Sequence, residues 1–271
     1  MSQSVHAEYL RRQIFDRLEI ARDSLHQIMA ATRALRVCAF RALVGSSPAN
    51  TAVTSLESLR HDRDQIVLKL EAWKIAFRRI QGSLGPQLWC SCFPASVLWA
   101  HFSIAKVYTE TSLGLSQECY ADHHETFEEI VEAAKNGLPQ MLEETKTASF
   151  SFEACFLTPL YLGALKCREP ILRNLMLHYM HFTKAKEGLW HRSECIRVAT
   201  RVMELEQGRS EFISADDDFR SSGAFIHFHD VMAELNYRSE GKTMVDVTYV
   251  LYRPCEGRSW RYMKETLVVN E

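Results

Sequence analysis

The hydrophobic period changes once along this chain, and that change limits the folds the chain can adopt. Up to residue 206, apolar residues recur every three or four positions, which is the spacing of amphipathic helices. Beyond residue 230, apolar and polar residues alternate, and turns at Ser239–Gly241 and Pro254–Gly257 divide the segment into three strands. Helices followed by strands favour a mostly α fold over an alternating parallel α/β fold. We therefore predict an antiparallel helical array of hairpin pairs with a small C-terminal three-stranded antiparallel β-meander.

Proline and glycine predict the limits of the individual helices. The helices are predicted over residues 6–43, 53–80, 87–113, 117–137, 152–166, 170–182 and 192–206. We expect Pro94 to kink the third helix, because proline removes a backbone donor, and Gly114 to cap its end. Pro139 is expected to end the fourth helix, and Pro170 fits the first turn of the sixth. The fifth helix is almost wholly apolar, so we expect it to be central.

A narrow apolar seam of period 3.5 runs along residues 6–43. Its members are Ile14, Leu18, Ala21, Leu25, Ile28, Thr32 and Leu35. Such a seam is typical of coiled coils, so a homo- or heterodimer through residues 6–43 is one interpretation. Alanine and threonine make the seam weak for a dimer, which favours packing inside the helical array.

Length and composition are those of a globular protein with a sizeable core. The 271 residues are 46% hydrophobic and 24% charged, which is ordinary for a folded domain. A chain of this size buries most of its unfolded surface without disulfides or a metal. We predict a helical domain over residues 1–208, with a polar loop and the meander over residues 209–271 packed on it as one structural unit.

Charge and cysteine spacing argue against several classes of protein. The net charge is −2, without the basic excess that is typical of nucleic-acid binders. None of the eight cysteines forms a Cys-x2-Cys pair, so no structural zinc site is expected. No stretch approaches roughly 18 apolar residues, and the first residues lack a signal-peptide core. We therefore expect an intracellular protein, nuclear or cytoplasmic, with reduced thiols and no membrane association.

Aromatic and polar side chains on apolar helix faces are the candidates for a ligand site. Pockets in helical domains lie between helices and combine an apolar lining with a few polar groups. An apolar small molecule is the ligand expected there. The sequence lacks dinucleotide, phosphate-loop and nucleophile-elbow motifs, so no cofactor is expected. The candidates are Trp99, His101, Phe102, Tyr108, Tyr161, His178 and Trp190.

Acid/base groups can also be named for the case that the chain is an enzyme. These candidates are His101, Tyr108, Asp122 and His124. Asp122 and His124 belong to a run of polar neighbours that do not face one another on a helix. That geometry favours a helix surface or interhelical hydrogen bonds over a catalytic pair.

Two further clusters contain residue types that can bind metal ions. His227 and His229 would share one face of a strand, where two imidazoles can bind a metal. No third ligand is evident, so structural or surface histidines are favoured and no metal is predicted. The run Asp216–Asp218 lacks the spaced ligands of a calcium loop, which favours a solvated loop.

Several segments follow one another in an order that is typical of one family. Residues 151–180 contain the first block, with Phe152, Pro159, Leu160, Cys167, Arg168, Glu169, Pro170 and Arg173. Residues 186–206 contain a Glu-Gly-Leu-Trp block and a following helix, with Glu187, Gly188, Leu189, Trp190, Glu204 and Glu206. A Tyr-x-Asp-x-His segment is present as Tyr120, Asp122 and His124 with Phe127, and residues 55–73 form an early helix. Over residues 53–268 these segments together resemble the regulatory region of fungal zinc binuclear cluster transcription factors.

This resemblance implies an α-helical regulatory domain that senses metabolites or contacts partners. These factors bind DNA through a six-cysteine zinc cluster, which has no counterpart in this sequence. We therefore expect no specific DNA binding by this chain itself. The favoured hypothesis is a ligand-sensing or partner-binding regulatory domain. The alternative is a cofactor-free enzyme of secondary metabolism, such as a cyclase, pericyclase or isomerase, that uses the interhelical pocket. A third interpretation is a remnant without a ligand.

Overall fold

The structure is a computed structural model, which describes residues 17–44, 56–84, 92–114, 117–144, 150–151, 154–207, 228–234, 236–253 and 259–269. The helices are α1 (Leu18–Val44), α2 (Leu56–Leu84), α3 (Phe93–Glu110), α4 (His124–Glu144), α5 (Leu157–Lys166), α6 (Pro170–Met180) and α7 (Arg192–Glu206). The strands are β1 (Phe150–Ser151), β2 (Lys186–Glu187), β3 (Trp190–His191), β4 (Asp230–Ala233), β5 (Tyr237–Ser239), β6 (Lys242–Arg253) and β7 (Ser259–Val269). A 3-10 helix covers Gln117–His123. The predicted mostly helical fold with a C-terminal antiparallel sheet is confirmed.

Two compact units divide the chain. Unit 1 comprises Met1–Gly114 and His123–Lys146, and unit 2 comprises Leu115–Asp122 and Thr147–Glu271. Helices α1 to α4 belong to unit 1, whereas α5 to α7 belong to the same unit as the C-terminal sheet. This division differs from the predicted boundary at residue 208, because α7 packs against both the helices α5 and α6 and the strand β7. None of the described helices combines the length and apolar character needed to cross a bilayer.

Trp73 lies at the centre of the unit 1 core. Its ring is fully buried and stacks on Phe77 and Phe102, with centroid distances of 4.4 and 5.2 Å. The indole nitrogen donates a hydrogen bond of 2.8 Å to the carbonyl of Ala21. One side chain of α2 therefore contacts both α1 and α3.

The apolar seam of α1 is buried in unit 1. Of its described members, Ala21, Leu25, Ile28, Thr32 and Leu35 are at most 5% exposed, and Leu18 is partly buried against the same core. Helix α1 packs against α2 and α3. The Thr32 and Thr109 hydroxyl oxygens lie 2.8 Å apart across the contact with α3. In the described residues the seam is thus used inside the helical array. Ile14 lies outside them, and a dimer through residues 6–43 stays a prediction.

Three predictions about helix ends are wrong. Pro94 does not kink a helix, because α3 begins at Phe93 and its first turn does not need the missing N–H. Gly114 does not cap α3, which ends at Glu110 with Thr111 as its cap. Pro139 lies inside α4 rather than at its end. A proline in a helix costs about 3 kcal/mol, and the burial of Leu138 and Met141 on either side offsets that cost.

Unit 2 is built around α5, whose described side chains are buried along most of the helix. The N-terminal end of α6 follows at once, with Pro170 in its first turn as predicted. The Glu169 carboxylate caps this helix by accepting a hydrogen bond of 2.6 Å from the backbone N–H of Leu172. A small sheet pairs β1 with β2 in parallel and β2 with β3 as a hairpin.

The C-terminal sheet is a single four-stranded antiparallel sheet in which β6 is central. Strand β7 pairs with β6 along its whole length, and β4 and β5 share the other edge of β6. Ala233 faces Val247 and Tyr237 faces Met244, so one extra residue separates β4 from β5. This is a β-bulge, which splits the first predicted strand and shifts its side-chain alternation. The Asn236 side chain that follows the break donates a hydrogen bond to Glu194 of α7.

Candidate functional site

Helix α6 presents large apolar side chains to solvent. Ile171 is 69% exposed, and Phe182, in the turn after the helix, is 43% exposed. His178 lies between them, with its ring in edge contact with that of Phe182 at 5.0 Å. Ile171 and His178, seven positions apart, lie on the same side of the helix, and the Phe182 ring after the helix contacts His178. We call these three side chains the apolar stripe of α6.

The hairpin of β2 and β3 adds a second apolar element. Glu187 pairs with Trp190, so the loop is the two-residue segment Gly188-Leu189. Gly188 has a φ of 57°, a left-handed conformation that tight hairpin loops favour and glycine adopts without strain. Leu189 is 78% exposed at the tip, and Trp190 is 37% exposed with its ring 5.5 Å from that of Tyr161. The hairpin thus exposes Leu189 in its loop and part of the Trp190 side chain in β3 to solvent.

Arg192 joins the hairpin to the end of α6. Its guanidinium Nη1 donates to the carbonyls of Thr183 and His181, at 2.6 and 3.1 Å. Its backbone N–H donates to the carbonyl of Ala185 at 3.0 Å. The turn that carries Phe182 and the base of the hairpin are therefore fixed to one another. We call the combined surface of Ile171, His178, Phe182, Leu189 and Trp190 the α6–hairpin surface.

Charged residues of both signs belong to the hairpin and its flanks. Lys184 and Lys186 precede the hairpin loop, and Arg192 follows it. The carboxyl group of Glu187 is 0% exposed, and the Glu194 carboxylate lies 3.9 Å from His191 Nδ1.

The carboxyl group of Glu187 holds the hairpin against α5. Its Oε2 accepts hydrogen bonds from the backbone N–H groups of Cys155 at 2.7 Å and Leu157 at 3.1 Å, at the N-terminal end of α5. The helix dipole favours a negative group at this position. Burial nevertheless raises the pKa of Glu187 to about 7, because these hydrogen bonds only partly replace the lost hydration. Its Oε1 has no hydrogen-bond partner in the described part of the chain.

We predict that the stability of unit 2 depends on pH through Glu187. The pKa of this carboxyl group is about 7 in the folded state and near 4.5 in the unfolded chain. The folded state thus binds the proton more tightly, and the free energy of unfolding falls by about 3 kcal/mol as pH rises through this window. Glu187→Gln keeps the acceptor oxygen without the charge, so urea unfolding of this variant is expected to lack that decrease. An unchanged difference in stability between about pH 5 and about pH 8 would contradict the assignment.

A buried network of charged side chains joins α6 and the residues before it to α7. Glu206 of α7 accepts hydrogen bonds from Arg173 at 2.6 Å and Arg168 at 3.1 Å, and all three side chains are at most 12% exposed. The Lys166 ammonium, on a residue only 2% exposed, donates to the Gln117 side chain and to the carbonyls of Phe228 and His229. These contacts fix the segment between α5 and α6 to α7 and to the residues that precede β4.

The candidate ligand residues of unit 1 lie in or beside its core. Phe102 is 1% exposed and lies between Trp73 and Trp99 in a series of aromatic rings. His101 is 5% exposed on the same helix. The Tyr108 ring lies under the guanidinium of Arg36, 4.3 Å from its carbon. The contacts of Phe102 and Trp99 are those of packed hydrophobic core, and ligand binding by these residues stays a prediction.

The candidate ligand residues of unit 2 belong to the α6–hairpin surface and its support. Tyr161 and Trp190 contact one another, as a shared pocket would require. His178 instead contacts Tyr179 and Phe182 near the end of α6. Two of these three residues, His178 and Trp190, are thus on the exposed surface itself.

The candidate acid/base residues outside the core make surface contacts. His124 Nε2 lies 3.3 Å from Glu128 Oε1, one turn along α4, and both side chains are at least half exposed. Asp122 is exposed in the 3-10 helix. The neighbouring His123 lies 3.5 Å from Glu110. A catalytic role for His101, Tyr108, Asp122 and His124 stays a prediction of the enzyme alternative.

Metal-binding residue types do not cluster in the part of the chain that the structure describes, where no group of three or more can hold an ion. His229 offers its carbonyl to Lys166, and its ring packs edge-on against Trp260 at 4.9 Å. His227 and Asp216–Asp218 lie outside the described residues, so the predictions about them stay open.

Sequence reasoning missed the roles of Glu187 and Leu189. Both belong to the Glu-Gly-Leu-Trp segment, in which only Trp190 was a candidate for the ligand site. The signal available in the sequence is Gly188, because glycine in a short segment between two predicted helices favours a tight turn. No family model, no curated protein and no solved structure matches this chain. Its function is therefore argued from the geometry of the described residues.

Proposed function

We propose that this chain is a partner-binding regulatory protein and that the α6–hairpin surface is where its partner binds. The observation that carries the proposal is the 78% exposure of Leu189, in a loop that also exposes Trp190. Soluble proteins rarely expose contiguous large apolar groups unless these bind something. Ile171 in α6 and Phe182 after it are further exposed apolar side chains.

The local structure supports binding because it holds these side chains in place before a partner arrives. Glu187 ties β2 to α5 through two backbone hydrogen bonds, and Arg192 ties β3 to the turn after α6. A surface that is already ordered loses less conformational entropy on association. Tryptophan and other large side chains at the centre of an interface often contribute most of its binding energy.

The regulatory part of the proposal rests on the resemblance to fungal transcription-factor regulatory domains. These 271 residues contain no six-cysteine zinc cluster. Contact with a partner protein is then the route by which they would influence transcription. The four candidate acid/base residues of the enzyme alternative are not needed for this role.

Site-specific photo-crosslinking in the host cell tests the proposal. A photoreactive phenylalanine analogue replaces Leu189 in one strain and Leu142 of α4, which is 45% exposed, in a control strain. We expect a discrete cross-linked product above the 31.2 kDa chain from position 189 and none of that mass from position 142. Equal products from both positions, or none from position 189, would contradict the proposal.

We also predict that Phe182→Asp removes the cross-linked product formed from position 189. A carboxylate placed in the apolar stripe would have to be desolvated on binding, at a cost of several kcal/mol. Phe182 is 43% exposed, so the substitution leaves the core of unit 2 in place. Circular dichroism of the purified variant checks its fold. A folded variant that still forms the product at full yield would exclude Phe182 from the binding surface.

A further inference from the structure

We propose that β7 pairs with β7 of a second copy of this chain, antiparallel and about a twofold axis, so that the two C-terminal sheets join into one. This inference goes beyond the proposed function and concerns a surface other than the α6–hairpin surface. It is carried by the outer edge of β7, the edge that faces away from β6, and by the side chains along that strand.

The two edges of the C-terminal sheet differ. One edge consists of the short strands β4 and β5 with the β-bulge between them. Proteins protect sheet edges from unwanted pairing with short strands, bulges or prolines. The other edge is β7, which pairs with β6 residue by residue from Ser259 to Val269, without a bulge, and contains no proline. In the described part of the chain no strand pairs with its outer edge.

The backbone groups of alternate β7 residues point to this outer edge. The carbonyl of Asp246 in β6 accepts a hydrogen bond of 2.9 Å from the backbone N–H of Glu234, just after β4. In an antiparallel sheet, successive residues direct their N–H and C=O groups to opposite sides of the strand. Val247 therefore directs its groups to β7, where it lies opposite Glu265. The β7 residues whose N–H and C=O groups point outwards include Tyr262, Lys264, Thr266 and Val268.

These four residues are also exposed through their side chains. Tyr262 is 51% and Val268 37% exposed, and Lys264 and Thr266 are exposed as well. A long, regular and exposed edge strand is a template on which another strand can form hydrogen bonds. The edge of β7 is therefore open to a partner strand along most of its length.

Charge selects a second copy as the occupant and sets the register. A twofold axis at Lys264 would place two ammonium groups opposite each other, and like charges in that position destabilise a sheet. An axis at Glu265 would bring together two carboxylates and the Arg201 guanidinium that contacts each of them. An axis at Met263 avoids both arrangements and places Tyr262 opposite Lys264 of the second copy, where an ammonium can contact an aromatic ring. One strand thus supplies both members of the pair, so two copies complement each other.

Sedimentation velocity of the intact chain at micromolar concentrations tests the inference. We expect a species of twice the 31.2 kDa mass of one chain. Lys264→Pro removes an N–H that points to the outer edge, and proline at such an edge position leaves the hydrogen bonds to β6 in place. We expect this variant to raise the dissociation constant of the dimer at least about tenfold. The matched control Lys264→Ala keeps the N–H and is expected to remain dimeric.

A cysteine at the proposed axis tests the register, and it decides the matter if the proline variant does not fold. Met263→Cys places two thiols opposite each other in a pair without backbone hydrogen bonds, where the Cα atoms lie roughly 4.5 Å apart and a disulfide can form. With oxidised glutathione we expect a covalent dimer on a non-reducing gel, in clear excess over the native chain with its exposed Cys38. No excess of covalent dimer would overturn the inference.

The remaining outcomes of the sedimentation experiment would also overturn the inference. A native chain that stays monomeric has no such pairing. A dimer that a folded Lys264→Pro variant leaves intact would point to another surface, such as residues 6–43. A dimer that Leu189→Asp dissociates would point to the α6–hairpin surface. The photo-cross-link from position 189 does not depend on β7, so failure of this inference leaves the proposed function to its own test.

Discussion

Glu206→Ala is expected to lower the free energy of unfolding of unit 2 by about 3–5 kcal/mol. The Glu206 side chain is 3% exposed and is hydrogen-bonded by Arg173 and Arg168, which are 8% and 12% exposed. Its removal leaves two guanidinium groups with little access to water and without their carboxylate. Burial already lowers the pKa of Arg168, and the charge of Glu206 is the main opposing influence. The backbone N–H of Phe228 also loses its acceptor.

Urea unfolding followed by circular dichroism measures this effect against a matched control. Glu204→Ala removes a carboxylate two residues away on α7, where Glu204 is 41% exposed and bonds to Arg201. Exposed ion pairs of this kind contribute about 0–1 kcal/mol. If the two variants lose equal stability, the network around Glu206 does not hold α6 and α7 together as described.

Trp73→Ala is expected to destabilise unit 1 by about 3–5 kcal/mol, the usual cost of truncating a buried tryptophan. The residue is fully buried, and its ring stacks on both Phe77 and Phe102. Its indole nitrogen also donates a hydrogen bond to the carbonyl of Ala21 on another helix. The loss combines a cavity, two aromatic contacts and a buried acceptor without its donor.

Trp73→Phe separates these contributions. Phenylalanine keeps an aromatic ring in the stack but cannot donate to Ala21, so we expect a loss of about 1–3 kcal/mol. Thermal unfolding of the three proteins gives the comparison. A loss below about 1 kcal/mol for Trp73→Ala would show that the ring is not central to the core of unit 1.

Much of the fold could be predicted from local sequence pattern. The helix at 192–206 was predicted with the observed limits, and Pro170 begins α6 as expected. The alternation of Val245, Val247, Tyr249 and Leu251 predicted one face of β6, and all four side chains are buried. These features depend on residues close together in the chain, which is why the sequence pattern contains them.

The errors arose where packing outweighed local preference. Proline usually ends a helix, but Leu138 and Met141 on either side of Pro139 are buried and α4 continues past it. The bulge after Ala233 depends on pairing with Val247 and Met244 across the sheet, which the pattern of one strand does not contain. Burial and register are decided by contacts distant in sequence.

The candidate site shows the same limit more strongly. Aromatic residues such as Trp99 and Phe102 were predicted to line a pocket, and this stays a prediction, because their rings contact one another at 5.1 Å in the manner of core residues. Composition alone cannot distinguish an aromatic ring that fills space from one that lines it. The exposure of Leu189 depends on the glycine turn before it and on Glu187 beneath it, which is a property of the folded hairpin.

Gene replacement in the host, read by transcript and metabolite profiling together, tests the central claim most directly. The gene is deleted and restored as the native sequence, as Leu189→Asp, or as Leu142→Asp, which alters an exposed apolar residue of α4. We predict that deletion changes a set of transcripts, that the native chain and Leu142→Asp restore them, and that Leu189→Asp does not. Unchanged transcripts with an accumulated metabolic intermediate, corrected equally by Leu189→Asp, would contradict a partner-binding regulator and indicate a catalyst.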